Sequence, residues 1–453
     1  MNKDHALVKT LKKTVPAVMT AMTSTALGLL SLYGSKVPMI NDFGSMLTIG
    51  IVFAFIIGVL IFLPFLYIRD KHFPSPVDFK RKKSSHHNPF VSKLARVSIQ
   101  FKYIILALSV VLAGIGIYFD LNATAETNLE NFMPQDSEAL ADIKTLRNII
   151  GSTEQIAIII KDDNVLDEQH LALIQDIELL LTTNYQQSII ETQSLLTLLN
   201  YAGINNYEVD LNEAVSNLPE DQVKLFLNTN RTMMVINLSL KDMSDEVFDA
   251  FLTDLSNDID YMNSTQSISI TGQSVIDAEM MKALTTGRYQ MTIIGLSLIF
   301  VTLLIIYKSF YRAILPILPV ILIVGWSGLV MYLFGIAYTP LTATLGALIM
   351  GIGTEFTVLI IERYEEEKQL GLPKNEAIQS ALSKMANPIL VSSLTTMGGF
   401  SALILSDFVI LSNFGIMTLV NLSLALLSTF IVLPTIMTAM LIEEKVREVD
   451  MVT

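Results

Sequence analysis

The stretch Leu341–Ile361, LTATLGALIMGIGTEFTVLII, is long enough and apolar enough to cross a bilayer, and it contains one charged residue, Glu355. A carboxylate in hydrocarbon costs about 2.5 kcal/mol or more, so a charge retained there marks an ion or proton site. Ala343, Ala347 and Gly351 precede it at intervals of four. That spacing lines small residues along one helical face, where a second helix can approach closely, and aims Glu355 mainly at a protein neighbour. The plainer alternative is a structural carboxylate, neutral and hydrogen-bonded to a nearby hydroxyl.

Composition extends this reading to the whole chain. Hydrophobic residues make up 51% and charged residues 16%, with a mean hydropathy of +0.52, which defines an integral membrane protein. Eight runs are long enough to span about 30 Å of hydrocarbon as helices. They lie near Val15–Leu32, Phe43–Ile68, Phe101–Tyr118, Tyr289–Tyr307, Ala313–Phe334, Leu341–Ile361, Pro388–Leu405 and Phe414–Ile442. At these boundaries Glu355 is the only acidic residue inside a span, and Lys102, at the very start of the third, the only basic one. The chain has no cysteine, which excludes disulfides, thiolate metal sites and a cysteine nucleophile. The first apolar run leads through a polar turn to a second span without a small-residue cleavage pattern, so it reads as a retained helix.

Basic residues set the expected orientation. Between the second and third spans, a linker over 69–100 carries Arg69, Lys71, Lys80, Arg81, Lys82, Lys83, Lys93 and Arg96, which places it in the cytoplasm. Counting spans outward puts Lys3, Lys9, Lys12 and Lys13 on the same side, with Arg312, Arg363, Lys368, Lys384, Lys445 and Arg447. Both termini are then cytoplasmic in a cell membrane, and the polar segment over 120–287 is extracytoplasmic. Most of the carboxylates behind the net charge of −13 fall in that segment; such acidity also serves solubility.

Within it, Gln155–Ile160, Ser188–Thr192, Thr232–Leu240 and Ser267–Ile270 read as strands, and Glu168–Leu181 and Asp245–Tyr261 as the main helices. Helical pieces are also expected around Gln193–Leu199 and Glu220–Leu227. The order predicts an α+β domain of the split βαβ, ferredoxin-like kind. Asp163, Asp167 and Glu168 cluster at a helix start, where the macrodipole accounts for them. His86 and His87 have no acidic or thiol companions, and no metal cluster, phosphate loop, nucleophile-base pair or nucleic-acid motif stands out. No cofactor and no enzymatic activity are expected. Lys374–Ala386 reads as an interfacial helix or a connector.

The first two and last two spans repeat. Thr23-Ser24-Thr25-Ala26-Leu27-Gly28 aligns with Leu394-Thr395-Thr396-Met397-Gly398-Gly399, Asn41-Asp42-Phe43-Gly44 with Ser412-Asn413-Phe414-Gly415, and Leu63-Pro64 with Leu433-Pro434. Both copies start on the same side, so their axis runs along the membrane normal. With Gly346–Phe356, Glu362-Arg363-Tyr364-Glu365-Glu366 and Ser393–Phe400, the chain resembles the resistance-nodulation-division (RND) superfamily, in its MMPL-like and hydrophobe/amphiphile exporter branches.

That resemblance implies an α-helical polytopic bundle bearing one ferredoxin-like porter domain. Residues 1–68 correspond to the last two spans of a first repeat, 101–119 to the span opening a second repeat, 120–287 to its porter domain, 288–442 to five further spans and 443–453 to a cytoplasmic tail. Relatives carry two complete halves, so most of a first half is expected from elsewhere, as a separate chain, an upstream segment or a homo-oligomer. The resemblance further implies export of hydrophobic or amphiphilic molecules or lipids, driven by protons at Glu355, which stands where the family often has Asp followed by Tyr. Here Phe356 follows, without the hydroxyl.

Ser392, Thr395 and Thr396, with Thr20, Thr23 and Ser24 on the related first span, are the expected hydroxyl partners of Glu355 in proton coupling. Burial disfavours the ionised carboxylate and hydroxyl donors favour it, a balance that permits switching. Ala347, Gly351, Gly399 and Gly28 are expected to pack helices closely. Membrane lipids can also contact the basic linker. A non-pumping lipid sensor or assembly subunit is the competing expectation. A protein-export accessory subunit fits the order of spans less well.

Overall fold

A computed structural model describes residues 3–72, 89–123, 132–150, 155–204, 211–241, 243–262 and 267–440. His86, His87, the basic run from Lys80 to Lys83, and Lys445 and Arg447 in the tail lie outside the described residues. In chain order the helices are α1 (Lys3–Leu30), α2 (Pro38–Ile57), α3 (Leu63–His72), α4 (Pro89–Gln100), α5 (Lys102–Leu121) and α6 (Glu138–Ile150). Strand β1 (Gln155–Lys161), α7 (Glu168–Asn184), β2 (Ile189–Gln193), α8 (Leu195–Tyr201), α9 (Leu211–Ser216), α10 (Glu220–Val223), β3 (Met233–Leu240), α11 (Asp245–Met262), β4 (Ser267–Thr271) and α12 (Gln273–Lys282) follow. The chain continues through α13 (Arg288–Tyr307), α14 (Phe310–Ile314), α15 (Ile317–Phe334), α16 (Leu345–Gln369), α17 (Lys374–Ser401) and α18 (Val409–Leu427). These residues form two compact units, one mainly over 1–126 and 283–453, the other mainly over 134–282.

Among the described residues, eight helical segments are long and apolar enough to cross a membrane, the number read from the sequence. Lys374–Ala386 is part of α17, which carries Pro388 in its interior. In the linker, α4 is amphipathic: Val91, Ala95 and Ser98 are buried at helical spacing, and the helix packs on α17. Within the membrane unit α5 lies along α15 and α1 along α16. The first contact is backbone on backbone. A Cβ on Gly116 would collide with the Gly325 carbonyl, and one on Gly325 would sit 2.6 Å from the Ala113 carbonyl. Trp326 Nε1 donates to the Ser109 carbonyl across the same seam at 3.1 Å.

The repeat holds at the level of single bonds. Each first helix ends in one 3₁₀ turn, Ser31–Gly34 and Ala402–Leu405. Ser35 and Ser406 then accept from the amides two residues on. Asn41 and Ser412 donate back to the carbonyls of Tyr33 and Ile404, both at 3.3 Å. Each second helix loosens into one π turn, Gly58–Phe62 and Ser428–Val432, just before its Leu-Pro pair. Proline has no amide hydrogen to donate, so the ladder is rearranged where Pro64 and Pro434 enter. The equivalent rings Phe43 and Phe414 meet edge to face at 5.9 Å, which puts the pseudo-symmetry axis between them.

The second unit has a four-stranded antiparallel sheet in the order β2-β3-β1-β4. β1 and β2 are separated by the strand that follows them, which is the split βαβ, ferredoxin-like arrangement. Ile158 faces Ile236 in register, and burial alternates along both strands. Ile156, Ile158, Ile160, Met234, Ile236 and Leu238 share one core with Leu171, Ile174, Ile177 and Leu181 of α7 and Phe248, Phe251, Leu255 and Ile259 of α11. A strand of period two and helices of period 3.6 thereby supply matching apolar faces.

Helix starts in this domain use side-chain caps. Asp167 accepts from the His170 amide at 2.8 Å and contacts its ring nitrogen at 2.7 Å. Partial burial pushes the Asp167 carboxyl up, but the His170 amide and ring together pull it below its ordinary value. The acidic group at this helix start is thus a cap. Ser194 caps α8 in a reciprocal box with Thr197, and its hydroxyl donates to Glu178 of α7 at 2.5 Å. Burial pushes Glu178 above its ordinary value of 4.5, and the Ser194 hydroxyl only partly opposes this. A carboxyl raised by folding contributes its full stability below the unfolded value and loses it as pH rises through the folded one. Glu178→Gln keeps the oxygen that accepts from Ser194 and removes the charge. Amide exchange in α7 and α8, compared at matched pH, should show the variant gaining protection over the native chain as pH rises above 4.5.

Candidate functional site

The helix that carries Glu355 is prepared before it begins. Thr342 Oγ1 accepts from the Thr339 amide at 2.7 Å while Thr339 Oγ1 accepts from the Thr342 amide at 3.1 Å, which closes the entry to α16. Ala343, Ala347 and Gly351 are then buried. Gly28 of α1 sits against this stripe: a Cβ on it would be 3.5 Å from the Gly351 amide and 3.6 Å from the Ala347 carbonyl. Thr25 Oγ1 donates to the Gly351 carbonyl at 3.0 Å. Three of the four residues expected to pack closely, Ala347, Gly351 and Gly28, therefore meet in one seam.

Glu355 does not continue that stripe. A step of four residues advances about 40° past a full turn, so three steps from Ala343 carry the side chain about 120° around the helix. Glu355 instead joins Leu348, Ile352, Leu359 and Glu362, whose spacing of four, three, four and three keeps one face; all are only partly buried. Among the described residues, no hydrogen bond or ion pair reaches Glu355. Phe356 is buried, 3% exposed, and supplies no hydroxyl.

The expected hydroxyl partners bond elsewhere. Thr395 donates to the Val391 carbonyl at 2.8 Å and Thr396 to the Ser392 carbonyl at 3.0 Å, each within α17. Ser392 and Thr395 are exposed, and nothing lies within 4 Å of a Cβ placed on Gly399. On α1, Ser24 is buried and donates to the Thr20 carbonyl at 2.9 Å; Thr23 is half-buried. The repeat makes the contrast exact. Thr25 and Gly28 are seated on α16, whereas their counterpart Thr396 bonds only within its own helix and Gly399 faces open space.

Two charge clusters that the sequence reading passed over pin α16 at its ends. Past its middle, Glu367 is 1% exposed and takes Lys384 Nζ at 2.7 and 2.8 Å, the Ser380 hydroxyl at 2.9 Å and Arg363 Nη2. Before its start, Tyr338 donates to Asp120, whose Oδ1 is also 2.7 Å from Arg288 Nη1. Tyr289 donates to Asp120 Oδ2 at 2.7 Å, and the guanidinium lies 3.5 Å from the Tyr338 ring centroid. Asp120 and Arg288 are 5% and 7% exposed. Both fall within the membrane-length helices of the structure, so Glu355 is not the only charge there. In the sequence they look like ordinary charges at span ends; only long-range pairing marks them. The chemistry available is an unpaired carboxylate on a half-buried helix face between two ion-paired clamps.

Comparison with known proteins defines the class and then the family. The fold is RND-like. The hedgehog release protein Disp of the water bear Hypsibius dujardini superposes with a TM-score of 0.69 at 12% identity, over 95% of this chain and 59% of that one. SecDF in its super-membrane-facing form gives 0.53 at 15% identity, over 99% and 51%. The MMPL family model matches residues 131–442, and the chain belongs to the MMPL family. The membrane protein MJ1562 of Methanocaldococcus jannaschii is 25% identical over 368 residues, covering 78% of this chain and 94% of MJ1562. The sulfolipid-1 exporter MmpL8 of Mycobacterium tuberculosis is 24% identical over 184 residues, 38% of this chain and 16% of MmpL8. The chain thus spans about half of the solved proteins and a small part of MmpL8.

The packing contrast gives a paired expectation. Gly116→Ala should cost about 1–3 kcal/mol by forcing α5 and α15 apart, while Gly399→Ala should stay within about 0.5 kcal/mol. Thermal unfolding of the detergent-solubilised chain compares them directly.

Proposed function

We propose that this chain is the membrane part of an exporter of hydrophobic or amphiphilic molecules, lipids among them, driven by protons that bind and leave Glu355. The observation that carries the reading is Glu355 itself, unpaired and half-buried on α16 while the charges at both ends of that helix are held in ion pairs. A group that changes charge needs an environment that does not hold one charge state fast. Membership of the MMPL family and likeness to a protein named as a sulfolipid-1 exporter support a lipid-like cargo. Basic residues between the second and third spans support cytoplasmic termini in the cell membrane and an extracytoplasmic α+β domain.

The bare face of α17 and the half-buried Glu355 face of α16 are, in this reading, seats for a further membrane helix from another chain or another copy. The internal repeat supports it: the α1 face equivalent to that of α17 is occupied by α16. A non-pumping lipid sensor or assembly subunit is favoured by one observation, the buried Phe356 that puts no hydroxyl on the residue after Glu355.

Glu355→Gln, reconstituted with its partners in vesicles carrying a fluorescent phospholipid, should insert normally and lose gradient-dependent lipid movement. Transport unchanged by the substitution would sink the pumping reading, and lipid binding indifferent to the gradient would favour the sensor. Gly399→Leu should leave the unfolding midpoint of the single chain in place and lower the mass of the assembled complex. An assembly of unaltered mass would remove α17 from the interface.

A further inference from the structure

The α+β unit lies within the stretch between Asp120 and Arg288; the membrane unit runs on to Glu126 and resumes by Ala283, so these two residues stand a few positions inside the points where the chain leaves and re-enters it. They are joined to each other. Besides the 2.7 Å ion pair, Arg288 Nη2 donates to the Asp120 carbonyl at 3.1 Å, so side chain and backbone of the departing segment are both held. The position is shaped for this carboxylate: a Cβ on Gly328 of α15 would come within 2.7–2.8 Å of the Asp120 Cβ and carboxyl group. A third segment closes the cluster, because Tyr338, in the turn before α16, donates to Asp120 and lies under the guanidinium. From Tyr338 the reciprocal bonds of Thr339 and Thr342 lead directly into α16. A buried ion pair is often no more stabilising than apolar packing of the same shape, so its distinctive contribution is directional geometry.

We propose that Tyr338, Asp120 and Arg288 are positioning residues that pass a displacement of α16 to both roots of the α+β domain. The inference rests on the reading of Glu355 as the switch. Tyr338 moves with α16, its hydroxyl holds Asp120, and Asp120 holds Arg288, so the two roots respond as one. Apolar contacts alone would let either root slide, whereas these bonds must keep their direction to persist.

The absence of cysteine allows site-specific spin labels on the full chain in lipid nanodiscs, at Thr253→Cys in α11 and Asn375→Cys in α17, both exposed. Glu355→Gln, which imitates the protonated side chain, should shift the distance distribution between the labels. Adding Tyr338→Phe, which keeps the ring under the guanidinium and removes one hydroxyl, should abolish that shift, and adding Asp120→Asn should do the same. The double exchange Asp120→Arg with Arg288→Asp should restore part of it. If the shift survives in both the Tyr338→Phe and Asp120→Asn chains, the joint is overturned, even if those chains unfold at a lower temperature. If Glu355→Gln alone produces no shift, the reading of Glu355 fails and the joint falls with it.

Discussion

A charge withdrawn from water must find a partner, and the membrane unit is arranged around where that requirement is met and where it is not. Asp120 and Arg288 share hydrogen bonds with two tyrosines, and Glu367 is held by Lys384, Ser380 and Arg363. Removing one member of such a buried pair typically costs about 3–5 kcal/mol because the other is left unpaired. These clusters fix the ends of α16 against α5, α13 and α17. Between them, Glu355 is half-buried with no partner in the described chain.

Close packing does the remaining work. Lipid tails are as apolar as leucine, so helices in a bilayer gain little by hiding apolar surface from one another and must gain from contact. Gly116 against Gly325, and Gly28 against Gly351, provide backbone contact where α5 meets α15 and α1 meets α16. Gly328 makes room for Asp120, so the same device that packs helices also receives the ion pair. The duplicated hairpins show a common solution used twice, down to matching 3₁₀ and π turns. One copy has its helix face filled and the other has it bare, and that asymmetry directs attention to α17.

The legible parts of the sequence were those with local causes. Eight apolar runs, the alternation in Thr232–Leu240, the helical spacing of Glu168–Leu181 and the paired Leu-Pro motifs each depend on residues a few positions apart. The strand order follows with little further information, since a split βαβ unit has few ways to pair. Glu355 was legible as an isolated charge. Where the expected hydroxyls bond was not, because Thr395 and Thr396 satisfy themselves on carbonyls four residues back, an option open to any membrane threonine.

What the sequence by itself determined is the membrane class, the eight spans, the inserted α+β domain, the repeat and the presence of one costly carboxylate in mid-span. Each rests on hydrophobicity and period, which are properties of short windows. Tertiary structure alone decided which face of α16 Glu355 occupies, that Gly28 is packed while Gly399 is bare, and that Asp120 meets Arg288. Residues 168 positions apart carry no local sign of their meeting. A charge at the end of a span looks the same whether it faces water or a buried partner, and only the folded chain distinguishes the two.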